Sequence, residues 1–267
     1  MDLKLTGKTA IVTGGSKGIG KAVALQLARE GVDVALAARD MGALQAAATE
    51  IAAATGRRIL SLAVDTGDDA KVREMVGIAA STLGRVDILV NAAAQPGGQS
   101  GKPPGVADIT NEMFFSEMNT KVLGYLRTAR EVTPFMKSQG WGRIINISGL
   151  AARTTGSIIG SVRNVGVSAL TKNLADELGP FGINVTCVHP AVTRTEKTPG
   201  VVERMSQAQG ISAADVEKLL GSKNTLGRIV DAEEVADVIA FLCSPRSVSI
   251  NGDSIAVGGG AKGSIHY

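Results

Sequence analysis

The chain has 267 residues, 44% of them hydrophobic, with 28 lysines and arginines against 25 aspartates and glutamates, for a net charge of +3. That is apolar material for one full α/β core, while charge without a basic block and aromatics at only 3% leave no stripe or stacking platform for nucleic acid. Cys187 and Cys243 are too few for a disulfide framework and lack companions at metal-ligand spacing, Met1–Gly7 lacks an apolar signal core, and no apolar run would cross a bilayer, so a soluble cytoplasmic protein without a metal site is expected.

The first predicted strand, Thr9–Val12, runs into Thr13-Gly14-Gly15-Ser16-Lys17-Gly18-Ile19-Gly20, and a helical pattern follows over Lys21–Glu30. Glycines permit a tight turn and close backbone approach, and the free N–H groups of a helix start attract anions, which is what the phosphates of a dinucleotide require. Further strand-like runs are Asp33–Ala37, Arg58–Val64, Val86–Asn91, Arg143–Ile147, Asn184–His189 and Ser254–Val257. Helical patterns fill the gaps at Met41–Thr55, Asp68–Leu83, Thr110–Ser138, Ser157–Leu178 and Ala232–Cys243. Continuous apolar strands alternating with helices predict a doubly wound (Rossmann) parallel sheet of about seven strands, helices on both faces, in one domain spanning 1–267. Two connections read as long loops: Ala94–Asp108, and Ala191–Ser212, which holds Thr193, Arg194, Glu196, Lys197 and Pro199. Each is either a cover over ligand at the carboxyl ends of the strands, with 191–212 as a substrate lid, or a surface excursion.

The second strand ends Leu36-Ala37-Ala38-Arg39-Asp40. A free ribose 2′-hydroxyl favours a carboxylate at this point. Ala38 offers none, whereas Arg39 with Lys17 suits a 2′-phosphate, so NADP(H) is expected over NAD(H). The alternative is that both are solvated surface cations. Asp65, closing the third strand before Thr66, either accepts from an adenine amino group or caps the following helix.

With these residues in view, the chain is similar to the short-chain dehydrogenase/reductase family nearly end to end. The first turn matches that family's TGxxxGxG motif, and Asn91-Ala92-Ala93-Ala94 stands where NNAG is usual, keeping only Asn91 and Ala93. Pro190-Ala191-Val192-Thr193-Arg194-Thr195 resembles the PGxxxT segment that holds the nicotinamide, with Ala191 for glycine; Gly227-Arg228 before Asp231–Ala236 and Asn251–Gly259 match the C-terminal pattern, with Gly258 where aspartate is usual. The resemblance implies a cofactor site that takes in Thr13, Gly14, Ser16, Lys17, Gly18, Ile19 and Gly20, then Arg39, Asp65 and Thr66. Asn91, Ala92 and Ala93 follow, with Pro190, Ala191, Val192 and Thr195, the last on the carboxamide.

The family reduces carbonyls with a Tyr-x-x-x-Lys pair on one helix, a serine at the end of the preceding strand and an asparagine on the helix before it. A hydride reaching carbonyl carbon leaves charge on oxygen, so a positioned acid must donate a proton. This sequence departs at all four places. The serine falls on Gly149, beside Ser148; the tyrosine on Gly160 and the lysine on Asn164, in a register implying a two-residue deletion after Gly149; the asparagine on Lys121. Asn119 is two residues out of that register. The only tyrosines are Tyr125 and Tyr267, and no lysine lies between Lys137 and Lys172. Asparagine and lysine are thus exchanged between facing helices. Lys121 is expected to supply an ammonium beside the nicotinamide, with Asn164, Ser148 or Ser161 orienting substrate or water; the alternative is a lysine that snorkels to solvent.

Other candidates carry less. Arg153 and Arg163 could clamp a substrate carboxylate, or sit solvated. His189 reads as packed or hydrogen-bonded, and His266 lies in the tail. Met113, Phe114 and Phe115 read as packing, and Asp176-Glu177 as a solvated face. Three readings stand: an NADP(H)-dependent oxidoreductase with a rearranged proton donor, a nucleotide-binding pseudoenzyme, and a non-redox lyase or isomerase. The nicotinamide-side segment favours the first and the missing Tyr/Lys pair the second. The family resemblance implies a small-molecule substrate and a homodimer or homotetramer built on Thr110–Ser138, Ser157–Leu178 and the tail after Val257.

Overall fold

The computed structural model describes residues 1–94 and 103–262. Its strands and helices alternate as β1 (Thr9–Thr13), α1 (Gly18–Arg29), β2 (Asp33–Ala38), α2 (Met41–Thr55), β3 (Ile59–Ala63), α3 (Asp69–Leu83) and β4 (Ile88–Asn91). The helices α4 (Asn111–Glu117) and α5 (Gly124–Gln139) follow, then β5 (Gly142–Ile147), α6 (Ile158–Leu178) and β6 (Ile183–Pro190). The chain goes on through β7 (Thr193–Arg194), α7 (Thr198–Gln209), α8 (Ala213–Gly221), β8 (Val230–Asp231), α9 (Ala232–Cys243) and β9 (Ser254–Val257).

Among the described residues seven parallel strands form one sheet in the order β3-β2-β1-β4-β5-β6-β9. Strand side chains alternate between two cores, which is why their sequences are mostly apolar rather than alternating. Val12, Leu36 and Val90 pack against Val23 and Leu27 of α1, Leu44 and Ile51 of α2, and Val235 and Ile239 of α9. On the other face Ile11, Ala35, Leu89 and Ile144 meet Val72 and Val76 of α3, Val132 and Met136 of α5, and Leu178 of α6. The chain winds outward from β1 to β3 and then returns to place β4 on β1's free side. That reversal opens a crevice at the carboxyl ends of β1 and β4, where ligands bind in sheets of this kind.

Three differences from the sequence reading concern the site. The predicted helix Thr110–Ser138 is interrupted by a π-helical turn, Met118–Leu123. Segment 191–212 is no long loop: it contains β7, paired with β8 through Thr193–Val230 and Arg194–Asp231, and the whole of α7. Pro199 stands in the first turn of α7 and Gly210 ends it in the left-handed conformation, the polarity of residues that helices favour. Arg194 adds ion pairs to Glu217 at 2.9 Å and to Asp231 at 3.3 Å. In the other predicted loop, residues 95–102 lie outside the described residues, as do His266 and Tyr267. No helix among the described residues is long and apolar enough to cross a membrane.

Candidate active site

The Oγ1 of Thr13, the last residue of β1, accepts the N–H groups of Ala92 at 3.1 Å and Ala93 at 3.2 Å, tying the ends of β1 and β4 together. A Cβ on Gly14 would lie 2.8 Å from the Ala92 carbonyl carbon, and one on Gly20 2.3 Å from the Gly14 oxygen. The turn therefore closes only with glycine at these positions. Helix α1 starts at Gly18 with no side-chain cap and no acidic residue in its first turn. Ser16 and Ile19 are half-buried in the same turn.

The N–H of Gly18 is nonetheless engaged. It donates to both carboxylate oxygens of Glu196, at 3.1 and 3.0 Å. The methyl of Thr195 lies 3.5 Å from where a Cβ on Gly18 would be. An internal carboxylate thus stands in for an anion at the helix start, so the cradle accepts negative charge. Sequence reasoning passed over Glu196; its only signal was its place next to Thr195, in a segment expected to reach the cofactor.

The other cofactor candidates surround this turn in different ways. Lys17 and Arg39 are exposed, with the Lys17 ammonium 4.0 Å from the Asp40 carboxylate. Asp65 accepts the Gly67 N–H at 2.9 Å; the cap of α3 is Asp68, which accepts from Ala70 and Lys71, so the capping alternative for Asp65 is corrected. Thr66 is buried, its hydroxyl 3.5 Å from the Thr120 carbonyl. The Asn91 amide donates to Asn146 Oδ1 at 2.9 Å and its oxygen accepts from Thr128 at 2.7 Å, so this side chain stitches β4 to β5 and α5. Pro190 ends β6, the Ala191 carbonyl accepts from Thr193 Oγ1 at 3.1 Å, and Val192 is exposed. Thr195 donates its N–H to Thr198 Oγ1 at 2.9 Å, while its own hydroxyl accepts from the Lys197 N–H at 3.3 Å.

Lys121 lies in the π-helical turn, a feature that recurs where a helix must re-aim a side chain. It is 4% exposed, which removes the snorkelling alternative. Its Nζ donates to the Ser148 carbonyl at 2.9 Å and to Asn164 Oδ1 at 3.0 Å. The exchanged lysine and asparagine therefore meet. The Ser148 hydroxyl donates to the Asn164 carbonyl at 3.0 Å. A Cβ on Gly149 would come 3.4 Å from Asn164 Nδ2. Ser161 faces elsewhere: its hydroxyl donates to the Thr154 carbonyl at 2.9 Å, and the Gly160 N–H to Ser157 Oγ at 3.1 Å.

Burial lowers the Lys121 pKa to about 7; the nearby Arg163 charge pushes the same way, and Cys187 and Glu117 oppose it. Arg163 forms an ion pair with Glu117, and Arg153 donates to the Ser254 carbonyl at 2.9 Å, so both arginines hold protein partners. Tyr125 is 1% exposed and donates to the Ile147 carbonyl at 2.9 Å; burial raises its pKa far above the ordinary phenol, so it is no acid near neutrality. His189 is buried and hydrogen-bonded, as expected, with Nδ1 accepting the Gly149 N–H at 3.3 Å and Nε2 3.4 Å from Ser168 Oγ.

A family model described as enoyl-(acyl carrier protein) reductase matches residues 14–262. The NADPH-dependent reductase BacG of Bacillus subtilis is 30% identical, over 97% of this chain and 99% of its own. The 1,6-dihydroxycyclohexa-2,4-diene-1-carboxylate dehydrogenase of Acinetobacter baylyi is 32% identical, over 96% of this chain and 97% of its own. Among solved structures, the L-sorbose reductase of Gluconobacter frateurii, complexed with NADPH and L-sorbose, superposes with a TM-score of 0.93 at 28% identity, covering 99% of this chain and 100% of that one.

Proposed function

The chain belongs to the short-chain dehydrogenase/reductase family, and from that premise we propose an NADP(H)-dependent oxidoreductase that interconverts a carbonyl and an alcohol on a small molecule, with Lys121 holding the transferred proton. The observation that carries the proposal is the buried Lys121 ammonium, held by Ser148 and Asn164. Its pKa of about 7 suits a group that must give and take a proton near neutral pH.

The residues fit the cofactor. Gly14, Gly18 and Gly20 form a close-fitting cradle at a helix start that already accepts a carboxylate. Lys17 and Arg39 are exposed at the end of the crevice where a 2′-phosphate would be met, and no carboxylate stands at Ala38. Thr195 lies against the same turn and would take the nicotinamide carboxamide. A reduced nicotinamide, when bound, supplies a hydride to a carbonyl carbon. Lys121 then protonates the carbonyl oxygen, the electron pair of the broken C=O π bond taking up the ammonium proton. Asn164 and Ser148 engage two of the nitrogen's hydrogens, and the third would serve the substrate oxygen. The relatives named NADPH-dependent reductases support the cofactor choice.

The same reading gives a cytoplasmic homodimer or homotetramer. Met113, Phe115, Leu123, Leu126, Ile158, Val162 and Val165 are exposed apolar residues on α4, the π-turn, α5 and α6, the helices expected to meet a second copy.

The test is NADPH oxidation across a panel of aldehydes and ketones by the native protein and Lys121→Met. A loss of about 10²–10⁴-fold is expected from removal of a positioned acid. Equal rates above background remove Lys121 from the chemistry. Calorimetry in which neither NADPH nor NADH binds removes the oxidoreductase itself, and binding without turnover on any substrate returns the non-catalytic reading.

A further inference from the structure

We propose that His189 is a positioning residue for Lys121, acting through the one peptide bond that joins Ser148 to Gly149. This rests on the reading of Lys121 as the proton-holding group. The carbonyl of that peptide accepts from Lys121 Nζ at 2.9 Å, and its N–H donates to His189 Nδ1 at 3.3 Å. One rigid, planar unit is thus held from both ends. Lys121 and His189 are both buried, so neither hydrogen bond competes strongly with water.

The arrangement has electronic as well as geometric content. With Nδ1 accepting, the proton of a neutral imidazole lies on Nε2, which faces the Ser168 hydroxyl at 3.4 Å. A peptide whose N–H is engaged is the better acceptor at its carbonyl, because hydrogen bonds in series polarise one another. The acceptor that favours Lys121 in its charged form is therefore tuned by a side chain 68 positions further on (189 against 121). Residue 149 is a glycine, has no side chain to fix its own peptide, and runs extended at φ 169° and ψ 156°. The flanking groups are held by backbone, the Ser148 N–H on the Val188 carbonyl at 2.8 Å and the Gly149 carbonyl by the Ala152 N–H at 3.0 Å, and His189 adds the acceptor for the Gly149 N–H.

The charged and titratable groups around this unit are few. Glu117 of α4 and Arg163 of α6 face Lys121, as does Cys187 of β6, whose thiol also lies 4.0 Å from His189 Nδ1. The Tyr125 hydroxyl is fixed one residue upstream, on the Ile147 carbonyl. The Ser148–Gly149 unit accepts from Lys121 Nζ at its carbonyl and donates to His189 Nδ1 from its N–H, and so links the ammonium to the imidazole.

Three variants of the full chain separate positioning from packing. Asparagine at 189 places its Oδ1 at the same bond count from the backbone as Nδ1, so His189→Asn keeps an acceptor for Gly149. His189→Gln moves the acceptor to the Nε2 position, and His189→Leu has none. The Lys121 titration is followed by NMR on protein labelled at lysine Cε, with the resonance assigned by its loss in Lys121→Met. The alkaline limb of kcat/KM against pH is measured on the same variants.

In His189→Asn the titration stays with the native one. In His189→Leu and His189→Gln it falls by about one pH unit, a tenfold weakening of the charged form, and the alkaline limb moves down with it. An unmoved titration in folded His189→Leu or His189→Gln overturns the proposal, as does an equal shift in His189→Asn. Should His189→Leu fail to fold, the Asn and Gln pair decides alone. A moved titration in a protein whose turnover survives Lys121→Met sinks the proton-donor reading and leaves the positioning intact.

Discussion

Converting Glu196 to glutamine asks what its carboxylate does at the start of α1. In the structure both oxygens share the Gly18 N–H, at 3.1 and 3.0 Å. That same N–H is among the groups a cofactor phosphate would take. A charged hydrogen bond contributes ~1.5–3 kcal/mol when buried and a helix end adds ~0.3–1 kcal/mol. Glu196 is exposed, so the pair is discounted to about 1 kcal/mol. The contact must break before a phosphate can dock, and about 1 kcal/mol of prior occupancy weakens the apparent affinity roughly fivefold. Repulsion between the freed carboxylate and the diphosphate adds to this. Glu196→Gln is therefore expected to bind NADPH ~3–10-fold more tightly than the native chain at low ionic strength, the gap narrowing in about 0.5 M salt as the charges are screened. Nucleotide fluorescence titration reads the dissociation constant directly, and inorganic pyrophosphate as competitor follows the same site without the nicotinamide. Equal or weaker NADPH binding by Glu196→Gln refutes the competition.

Two further outcomes follow from charge. Lys121 drops from the ordinary 10.5 to about 7 in the folded chain, so between those pH values the unfolded state binds more protons and unfolding free energy rises with pH, by up to ~1.4 kcal/mol per unit from this group. Urea midpoints at pH 7, 8 and 9 should show that rise in the native chain and lose it in Lys121→Met; parallel curves for the two refute the assignment. Arg39→Ala should weaken NADPH binding by about tenfold and leave NADH within about twofold, as expected of a cation that meets the 2′-phosphate. An equal loss for both nucleotides removes Arg39 from that role.

Much of the framework was legible because both faces of the sheet are covered. Ile11 and Val12 point to opposite cores, and that demand writes the unbroken apolar centre of β1, Ala10–Val12, between Thr9 and Thr13. Helix α2 was legible to its ends, with Asp40 capping it and Gly56 closing it left-handed. The π-turn was not. Its extra residue slips the apolar register of Met118–Leu123 by one, a change no larger than the ordinary irregularity of an amphipathic pattern. Helix α7 was hidden for a different reason: Pro199, Gly200 and Gly210 are loop residues by composition and become helix start and stop only in position. At the site, the exchange of Lys121 and Asn164 was readable from register, because helix spacing fixes which residues face each other. Glu196 was not, since its contact with Gly18 spans 178 positions and no local pattern records it.

On the proposed reading, the exchange lets one residue do the work of two. A phenol titrates near ~10, and burial raises it further; Tyr125, sealed against the Ile147 carbonyl, shows the direction. A tyrosine acid therefore needs a cation beside it to come down. An ammonium starts equally high, but burial itself lowers it, so a lysine placed in the interior reaches the neutral range without a second ionised partner. Lys121 does this with Arg163 as a minor aid. What such a lysine cannot tolerate is a carboxylate in contact, which would hold the charged form and cancel the shift. Asn164 meets that condition: it offers Nζ a neutral oxygen at 3.0 Å, giving direction without charge. The Glu117 carboxylate, whose charge opposes the shift, is engaged by Arg163. On that reading the asparagine at 164 and the lysine at 121 are one adaptation, the amide directing the ammonium without fixing its charge.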